Sequence, residues 1–474
     1  MTKAGSWEER YERAAQAGIS RLESIPGVAL GFHTNIDGLV KLVPGLVEKA
    51  FAGLDSARIF GFLDSPDSLK DIRCPEDFVA GLLMSLESGS AKQLMIKEER
   101  VYEWLMEKLP PERLRLGGTT ANMSNALSGL PVRRILNYAF PLTRQQAELF
   151  PERDNILALV RSDGAYKLKV IREAYEGEGL PSCHWVLEYP RGLDVVFGGR
   201  KFVPPRASRF IGAWNPSNSR LRIQESFKEG FLGMAGSFSH FFVSGFHIMS
   251  ESYPEGATCE DYIGAAAEFL GQVREKAPDL CLHCELASMA SSRIRKAVFA
   301  QVVPKVHSVG LNETELRTVL GDMGQDDLAA RVKAADPSSL VHAARWLLET
   351  TGLERLHLHC PNLYVAVLRG NRWEETRARD GLLFSAQVAA GRAATGTVSP
   401  EGLAAGARAP VSPEGISALA EIERAVPGSA GLADEGIART ANGFFIAVPT
   451  RWVDNPQFTV GLGDTISSSA LLAS

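Results

Sequence analysis

Leu280-Cys281-Leu282-His283-Cys284-Glu285 and, further on, Val306-His307-Ser308-Val309-Gly310-Leu311-Asn312-Glu313-Thr314-Glu315 set the fold class. Each opens as a short apolar run of strand length and ends on polar residues. Helical spacing follows in both, at Ser291–Val302 and at Glu313–Leu320. A strand passing into a helix in this way is the repeating unit of a parallel sheet. The rhythm extends outward on both sides. Phe241–Ser244 reads as a strand and Tyr262–Lys276 as a helix. Downstream come a helix at Leu340–Glu349, strands at Arg355–His359 and Leu363–Val367, and a helix at Leu382–Ala394. Strands at Phe444–Val448 and Phe458–Val460 precede a terminal helix after Thr465. Such alternation predicts a doubly wound α/β sheet.

The pattern before Trp214 is less regular. A helix at Trp7–Leu22 leads into a β-like run at Val28–Phe32. Two mixed regions, about Gly38–Arg113 and Thr143–Ala213, hold short strand candidates: Arg58–Leu63, Ile156–Val160, Tyr166–Ile171 and Trp185–Tyr189. Alternation of polar and apolar residues in these runs suits a sheet with one open face. Near the other end, Ser-Pro-Glu-Gly occurs at Ser399 and again at Ser412. Serine as cap with proline at the first helical position predicts two helix starts.

Composition narrows the function classes. The 474 residues are 45% hydrophobic and 23% charged, ordinary for a globular protein, and Lys+Arg 51 against Asp+Glu 56 leaves a net charge of −5. A general nucleic-acid or anionic-membrane binder carries a basic surplus, so neither partner is expected. The 6 cysteines are too sparse for a disulfide scaffold. Met1–Arg21 lacks an apolar signal core, and no apolar run approaches the ~18 residues of a membrane span. A cytoplasmic protein is the expectation. Nothing in the pattern fixes an oligomeric state.

Three stretches carry candidate chemistry. In Phe458-Thr459-Val460-Gly461-Leu462-Gly463-Asp464, a β-rich run ends in a glycine turn just before a helix. Glycines there let backbone N–H groups approach an anion at a helix N-terminus. Asp464, beside that anion, is placed to take a proton from an attacking hydroxyl, or simply caps the helix. Asn312 and Glu315 follow a strand at helical spacing, either as a carboxylate holding Mg²⁺ through water or as a capping box. His283 and Glu285 share one face of their strand. Cys281 and Cys284 point to opposite faces, which argues against a shared metal. Ligands of an open α/β sheet bind outside the carboxyl ends of its strands, where Glu285, Asn312, Glu315 and Asp464 are all expected. Two further turns, Thr34-Asn35-Ile36-Asp37 and Gly117-Gly118-Thr119-Thr120-Ala121-Asn122, offer amide, carboxylate and backbone partners for sugar hydroxyls.

In this order and spacing the motifs resemble the ADP-dependent glucokinase and phosphofructokinase family of ribokinase-like sugar kinases. Gly461–Asp464 is similar to its G-x-G-D signature, Asn312–Glu315 to N-x-x-E, and His283–Glu285 with Leu286-Ala287 to H-x-E followed by Leu-Ala. Thr34–Asp37, His184–Tyr189, Arg209-Phe210-Ile211, Arg379–Phe384 and Val448–Thr450 match as well. The resemblance implies a ribokinase-like large domain (1–38, 114–142 and 214–474) with a smaller discontinuous α+β lid (39–113 and 143–213). It implies transfer of the β-phosphoryl of ADP to a hexose or hexose phosphate, releasing AMP in a modified glycolysis, with Mg²⁺ as cofactor. It gives Asp464 the role of catalytic base, with Gly461 and Gly463 as its anion hole. Glu285, Glu315 and Asp464 would place the metal, and Asn312, Val448, Thr450 and Gly463 would meet the nucleotide. Asn35, Asp37, Gly117, Gly118, Thr119, His184 and Arg209 would meet the sugar.

Substrate choice rests on departures from that pattern. Glucose-specific members carry Gln after the paired glycines, where this chain has Thr119. They also carry a lid glutamate, for which Glu87 and Gln93 are the candidates. Users of fructose 6-phosphate need lid cations, and Lys167, Lys169, Arg191, Arg200, Lys201, Arg206 and Arg209 are available. The phosphorylated sugar, or both sugars, is the reading adopted. The rivals are an ATP-using sugar kinase of the same fold and a catalytically silent sugar or nucleotide binder. No G-x-G-x-x-G opens the first strand–helix unit, which removes a dinucleotide dehydrogenase.

Overall fold

The run from His240 to His359 forms parallel strands, one beside the next, because each apolar segment is buried on both faces. The computed structural model describes residues 6–175, 181–334, 336–440 and 443–474. Eleven strands make one sheet. From one side to the other, Arg355–His359, Ser308–Leu311, Cys281–Glu285, His240–Val243, Val28–Gly31, Ile135–Asn137 and Ile156–Ser162 are all parallel to their neighbours. Antiparallel strands finish both edges: Ala165–Val170 on one, and Leu363–Leu368, Gly443–Pro449 and Ile437–Thr440 on the other.

Helices cover both faces of this sheet. Leu282, Cys284, Val309, Leu311, Leu356 and Leu358 enter one apolar core, and Cys281 joins a separate one with Phe384 and Leu471. The two cysteines therefore point apart, as their strand spacing predicts, and every cysteine is free. The face opposite the Leu282 core is polar along three adjacent strands. His283, Ser308, Arg355 and His357 lie there, all buried.

A second sheet runs Lys92–Ile96, Ser208–Trp214, Cys183–Tyr189, Asn35–Lys41, Arg113–Gly117. Helix Pro75–Ser88 and an aromatic core of Phe78, Trp185 and Phe210 cover one of its faces. Strand alternation puts Asn35, Asp37, Arg115, His184 and Arg209 on the other.

Several expectations are corrected. The small sheet begins at Asn35 and keeps its last strand to Gly117, because Asn35 pairs with Gly117 and Ile36 with Cys183. Ile156–Ser162 and Ala165–Val170 belong to the large sheet, since Ile156 pairs with Ile135, so a second lid segment does not start at Thr143. Arg58–Leu63 is helical, inside Ser56–Asp64, because the Asp55 carboxylate accepts from the Ala57 and Arg58 amides and starts a helix. Phe458–Val460 is not a strand. It is the loop before helix Leu462–Leu472, with the Gln457 and Phe458 amides bonded to the carbonyl of Ala393.

Both Ser-Pro sites start helices. The Ser399 side chain accepts from the Gly402 amide at Pro400–Arg408, and Ser412 accepts from Gly415 at Pro413–Ala425. Loss of the cap in Ser399→Ala is expected to lower unfolding stability by about 1 kcal/mol, read from the urea midpoint at unchanged slope.

Candidate active site

Helix Leu462–Leu472 starts at Gly461, whose φ of +70° is open to glycine at little cost. A side chain at Gly461 would press on the Asn122 amide, with its Cβ only 2.5 Å from Asn122 Cγ, and one at Gly463 would lie 2.8 Å from His359 Nε2. The bare turn thus fits between those two residues. Its first amide groups have no acceptor within the helix, which leaves them free for an anion. Asp464 stands in the first turn and accepts from Asn122 Nδ2 at 2.9 Å. Arg392, from the long helix Glu375–Thr395, donates to the Gly461 carbonyl at 3.0 Å and to the Thr465 hydroxyl. It also reaches Asn122 Oδ1 at 3.5 Å, which turns the amide so that its nitrogen meets Asp464.

Burial pushes the Asp464 carboxyl up to about 6, against the pull of Asn122 and of the Arg392 charge. Glu285 sits at the end of its strand, 3% exposed. Room for it comes from Gly310 next door, where a Cβ would lie 2.1 Å from Glu285 Oε2. Burial, and then the negative charge of Asp464 and Glu315, holds this carboxyl well above the usual carboxylate range. Its nearest partner is His283 Nε2 at 3.0 Å, whose other ring nitrogen meets Ser308. Burial keeps His283 uncharged, so its hydrogen bond to Glu285 brings no balancing positive charge. Glu315 is raised to about 7, mainly by burial and also by Asp464. Asn312 and Glu315 do form a capping box: Asn312 Oδ1 accepts from the Thr314 and Glu315 amides, and Glu315 Oε2 accepts from Asn312 N at 3.0 Å.

The sugar-side residues meet where Asn35 pairs with Gly117. Asn35 Nδ2 donates to Asp37 Oδ1 at 2.8 Å, and Arg115 lies 3.3 Å from Asp37 Oδ2. Gly117 and Gly118 permit this approach, since a Cβ on the first would strike Asp37 and on the second the His33 carbonyl. The Thr119 amide faces His33 Nδ1 at 3.5 Å. His184 bonds Asn215 at 3.0 Å, and its ring lies 6.1 Å from that of His33. Two buried atoms in this group, His33 Nε2 and Asn35 Oδ1, have no partner among the described residues.

The conserved region described as ADP-specific phosphofructokinase/glucokinase matches residues 26–473. The chain belongs to this family. Its relatives include the ADP-specific phosphofructokinase of Methanosarcina acetivorans, 30% identical over 98% of this chain and 96% of that protein. The ADP-dependent glucose/glucosamine kinase of Pyrococcus abyssi is also 30% identical, over 99% and 98%. A solved structure described as an ADP-dependent kinase complex with fructose-6-phosphate and ADPβS shares 29% identity at a TM-score of 0.85, covering 98% of this chain and 97% of that one. The fold is accordingly the ribokinase-like α/β class with a smaller second sheet.

Within this ADP-dependent kinase fold the expected residues fall into three groups. Asp464, Gly461, Gly463, Glu285 and Glu315 converge on one rim of the large sheet, where Asn312 is bonded to Glu315, and His359, beside Gly463, lies 3.9 Å from Glu285 Oε1. Asn35, Asp37, Gly117, Gly118, Thr119 and His184 form the group on the small sheet. Val448, Thr450 and Arg209 stand apart. Val448 is packed in an apolar core with Tyr11 and Ala470, so its side chain is not open to a nucleotide, and the Thr450 hydroxyl donates to the Pro361 carbonyl. Arg209 pairs across the sheet with Glu188, whereas His184 pairs with Ala213, so Arg209 lies about 13 Å along the strand from His184.

Arg115, Arg392, His359, Asn215 and His247 were not singled out from sequence, yet they contact site residues directly or through one neighbour. For Arg115 a signal exists: it alternates with Leu114 and Leu116 just before the paired glycines. Among the described residues no group of three His, Cys, Asp or Glu side chains is close enough to enclose a metal by itself.

The raised carboxyls make stability pH-dependent. A carboxyl held above its unfolded value binds more protons folded than unfolded, so its penalty is fully present above the folded value and fades as pH falls through it. For Glu315 the penalty is complete above pH about 7 and gone near the unfolded value of 4.5. Glu315→Gln is therefore expected to stabilise the metal-free protein by on the order of 2 kcal/mol at pH 8 and negligibly near pH 4.5. Calorimetric melting at the two pH values checks this.

Proposed function

We propose that this chain is an ADP-dependent sugar kinase that transfers the β-phosphoryl of ADP to a hydroxyl of a hexose or hexose phosphate and releases AMP, in a cytoplasmic modified glycolysis. The single observation carrying the reading is the meeting of Asp464 with an open glycine turn and two buried glutamates on one sheet rim. The Asp464 carboxylate accepts the hydroxyl proton as the sugar oxygen attacks phosphorus. A value near 6 keeps most of it ionised at neutral pH while making it a better proton acceptor than an ordinary aspartate. The free amides of the Gly461–Gly463 turn hold charge on the transferring phosphoryl. On the sugar side, Asn35 Oδ1 and His33 Nε2 are buried with unused hydrogen-bonding capacity, which suits hydroxyls that both donate and accept. Closure of the small sheet over the sugar excludes water and suppresses wasteful hydrolysis.

Glu285 and Glu315 fit a Mg²⁺ ion. Both are buried carboxylates, and neither is ion-paired to a lysine or arginine among the described residues. Two carboxylates are enough for Mg²⁺, which keeps several waters and takes further oxygens from a substrate phosphate. When bound, the cation neutralises charge on the diphosphate and on the departing AMP.

Fructose 6-phosphate is placed ahead of glucose. Of the candidates for a glucose-selecting lid residue, Glu87 is exposed near the end of helix Pro75–Ser88, and Gln93 pairs with Ile211 on the same open face as Arg209, with an amide where glucose users carry a glutamate. Of the lid cations, Lys167 and Lys169 lie on the large sheet, Arg200 covers Phe60, Lys201 pairs with Asp194, and Arg206 bonds Gly89 and Ser90. Arg191 lies in the exposed turn after Tyr189. Arg209 lies on the open face and is half-buried. It makes no ion pair among the described residues and, about 13 Å along the strand from His184, is a lid cation left for the far, phosphorylated end of the sugar.

A coupled assay crossing ADP and ATP with fructose 6-phosphate and glucose tests the reading. AMP formed in step with sugar phosphate from ADP is expected, with fructose 6-phosphate the better acceptor. Preference for ATP, or no sugar phosphate from any pairing, would refute it. Asp464→Asn is expected to lower kcat by about 10²–10⁴-fold while KM for ADP stays within a few-fold.

A further inference from the structure

We propose that Phe458 is a positioning residue for phosphoryl transfer, holding the catalytic turn through two guanidinium groups that share its ring. This rests on the kinase reading above. The Arg115 and Arg392 guanidinium carbons each lie 5.2 Å from the Phe458 ring centroid. One arginine comes from the small sheet and the other from the large domain's longest helix. The two cations repel, and the Arg115 charge contributes to lowering Arg392. An aromatic face attracts both, so the ring stabilises an arrangement that charge alone disfavours.

What each arginine holds gives the contact its meaning. Arg115 is paired with Asp37, which in turn takes the Asn35 amide, so its position follows the sugar-side group. Arg392 bonds the Gly461 carbonyl and the Thr465 hydroxyl and orients Asn122 toward Asp464. A continuous chain therefore runs Asp37, Arg115, Phe458, Arg392, Asn122, Asp464. Phe458 lies three residues before Gly461 on the same loop. The ring thus fixes where the turn begins, while the helix beyond fixes where it ends. Seating of the sugar against Asp37 settles Arg115, and through the shared ring it settles the turn that presents the base.

The test compares Phe458→Leu, which keeps an apolar side chain but removes the aromatic face, with Phe458→Trp, which keeps it. Each full-length variant is assayed with ADP and the sugar the wild type accepts. Hydrogen exchange of residues 459–465 is followed in the unliganded protein, and melting confirms folding. Phe458→Leu is expected to lose about tenfold in kcat, with KM for ADP within twofold and faster exchange of that segment. Phe458→Trp is expected to restore both. A Leu variant matching wild type in turnover and exchange overturns the proposal. So does equal impairment of Leu and Trp, which would make the role one of shape. Wild type that makes no AMP from ADP with either sugar refutes the kinase reading instead, because the exchange comparison reads the hold on the turn independently of any substrate.

Discussion

Three carboxylates share one edge of the large sheet, and among the described residues no lysine or arginine salt bridge neutralises them. Glu285 and Glu315 are buried and raised, Asp464 is raised to about 6, and each opposes or is opposed by another of the set. Folding tolerates this because the surrounding core is extensive and because each carboxylate keeps hydrogen bonds: His283 on Glu285, the Asn312 amide on Glu315, Asn122 on Asp464. Hydrogen bonds reduce the cost of burying a charge but do not cancel it. The edge is therefore unfavourable for three negative charges at once, which is consistent with the cation proposed to bind there.

The rest of the architecture serves that edge. Parallel strands deliver Glu285 and the Asn312–Glu315 cap from successive βα units. The polar face beneath them, with His283, Ser308 and Arg355 linked by hydrogen bonds, carries the positive and neutral groups that a wholly apolar core would lack. Gly310 leaves the volume that the Glu285 carboxylate occupies, and Gly461 and Gly463 leave the volume between Asn122 and His359. The small sheet offers a different chemistry, in which amide and carboxylate groups are bonded to one another and two buried atoms, His33 Nε2 and Asn35 Oδ1, have no partner among the described residues, as the proposed sugar site requires.

Much of this is legible in the residues. Strand length, polar strand ends and Ser-Pro helix starts carry local information, so the large sheet, both serine caps and the rim positions of Glu285, Glu315 and Asp464 follow from them. Partners brought together from distant segments do not. Arg392 lies in a helix buried along most of its length, where no polar periodicity marks one arginine as different. Ile156–Ser162 and Ala165–Val170 read correctly as strands, yet the choice of sheet depends on Ile156 meeting Ile135, which alternation cannot express. Phe458-Thr459-Val460 has strand-forming side chains, but the loop is held by the Ala393 carbonyl and by two arginines. The capping box at Asn312 forms, and Glu315 is still raised by the Asp464 charge beyond the effect of burial, so the cap does not stand against the metal-holding role proposed for Glu315.

Calorimetric titration of ADP into wild type and into a Glu285→Gln/Glu315→Gln double variant, each with and without Mg²⁺, addresses the central claim most directly. The account predicts that Mg²⁺ tightens ADP binding to wild type and that this gain disappears in the double variant, whose affinity for metal-free ADP is unchanged or improved. An equal Mg²⁺-dependent gain in both proteins would contradict it, since the buried carboxylates would then have no part in holding the diphosphate.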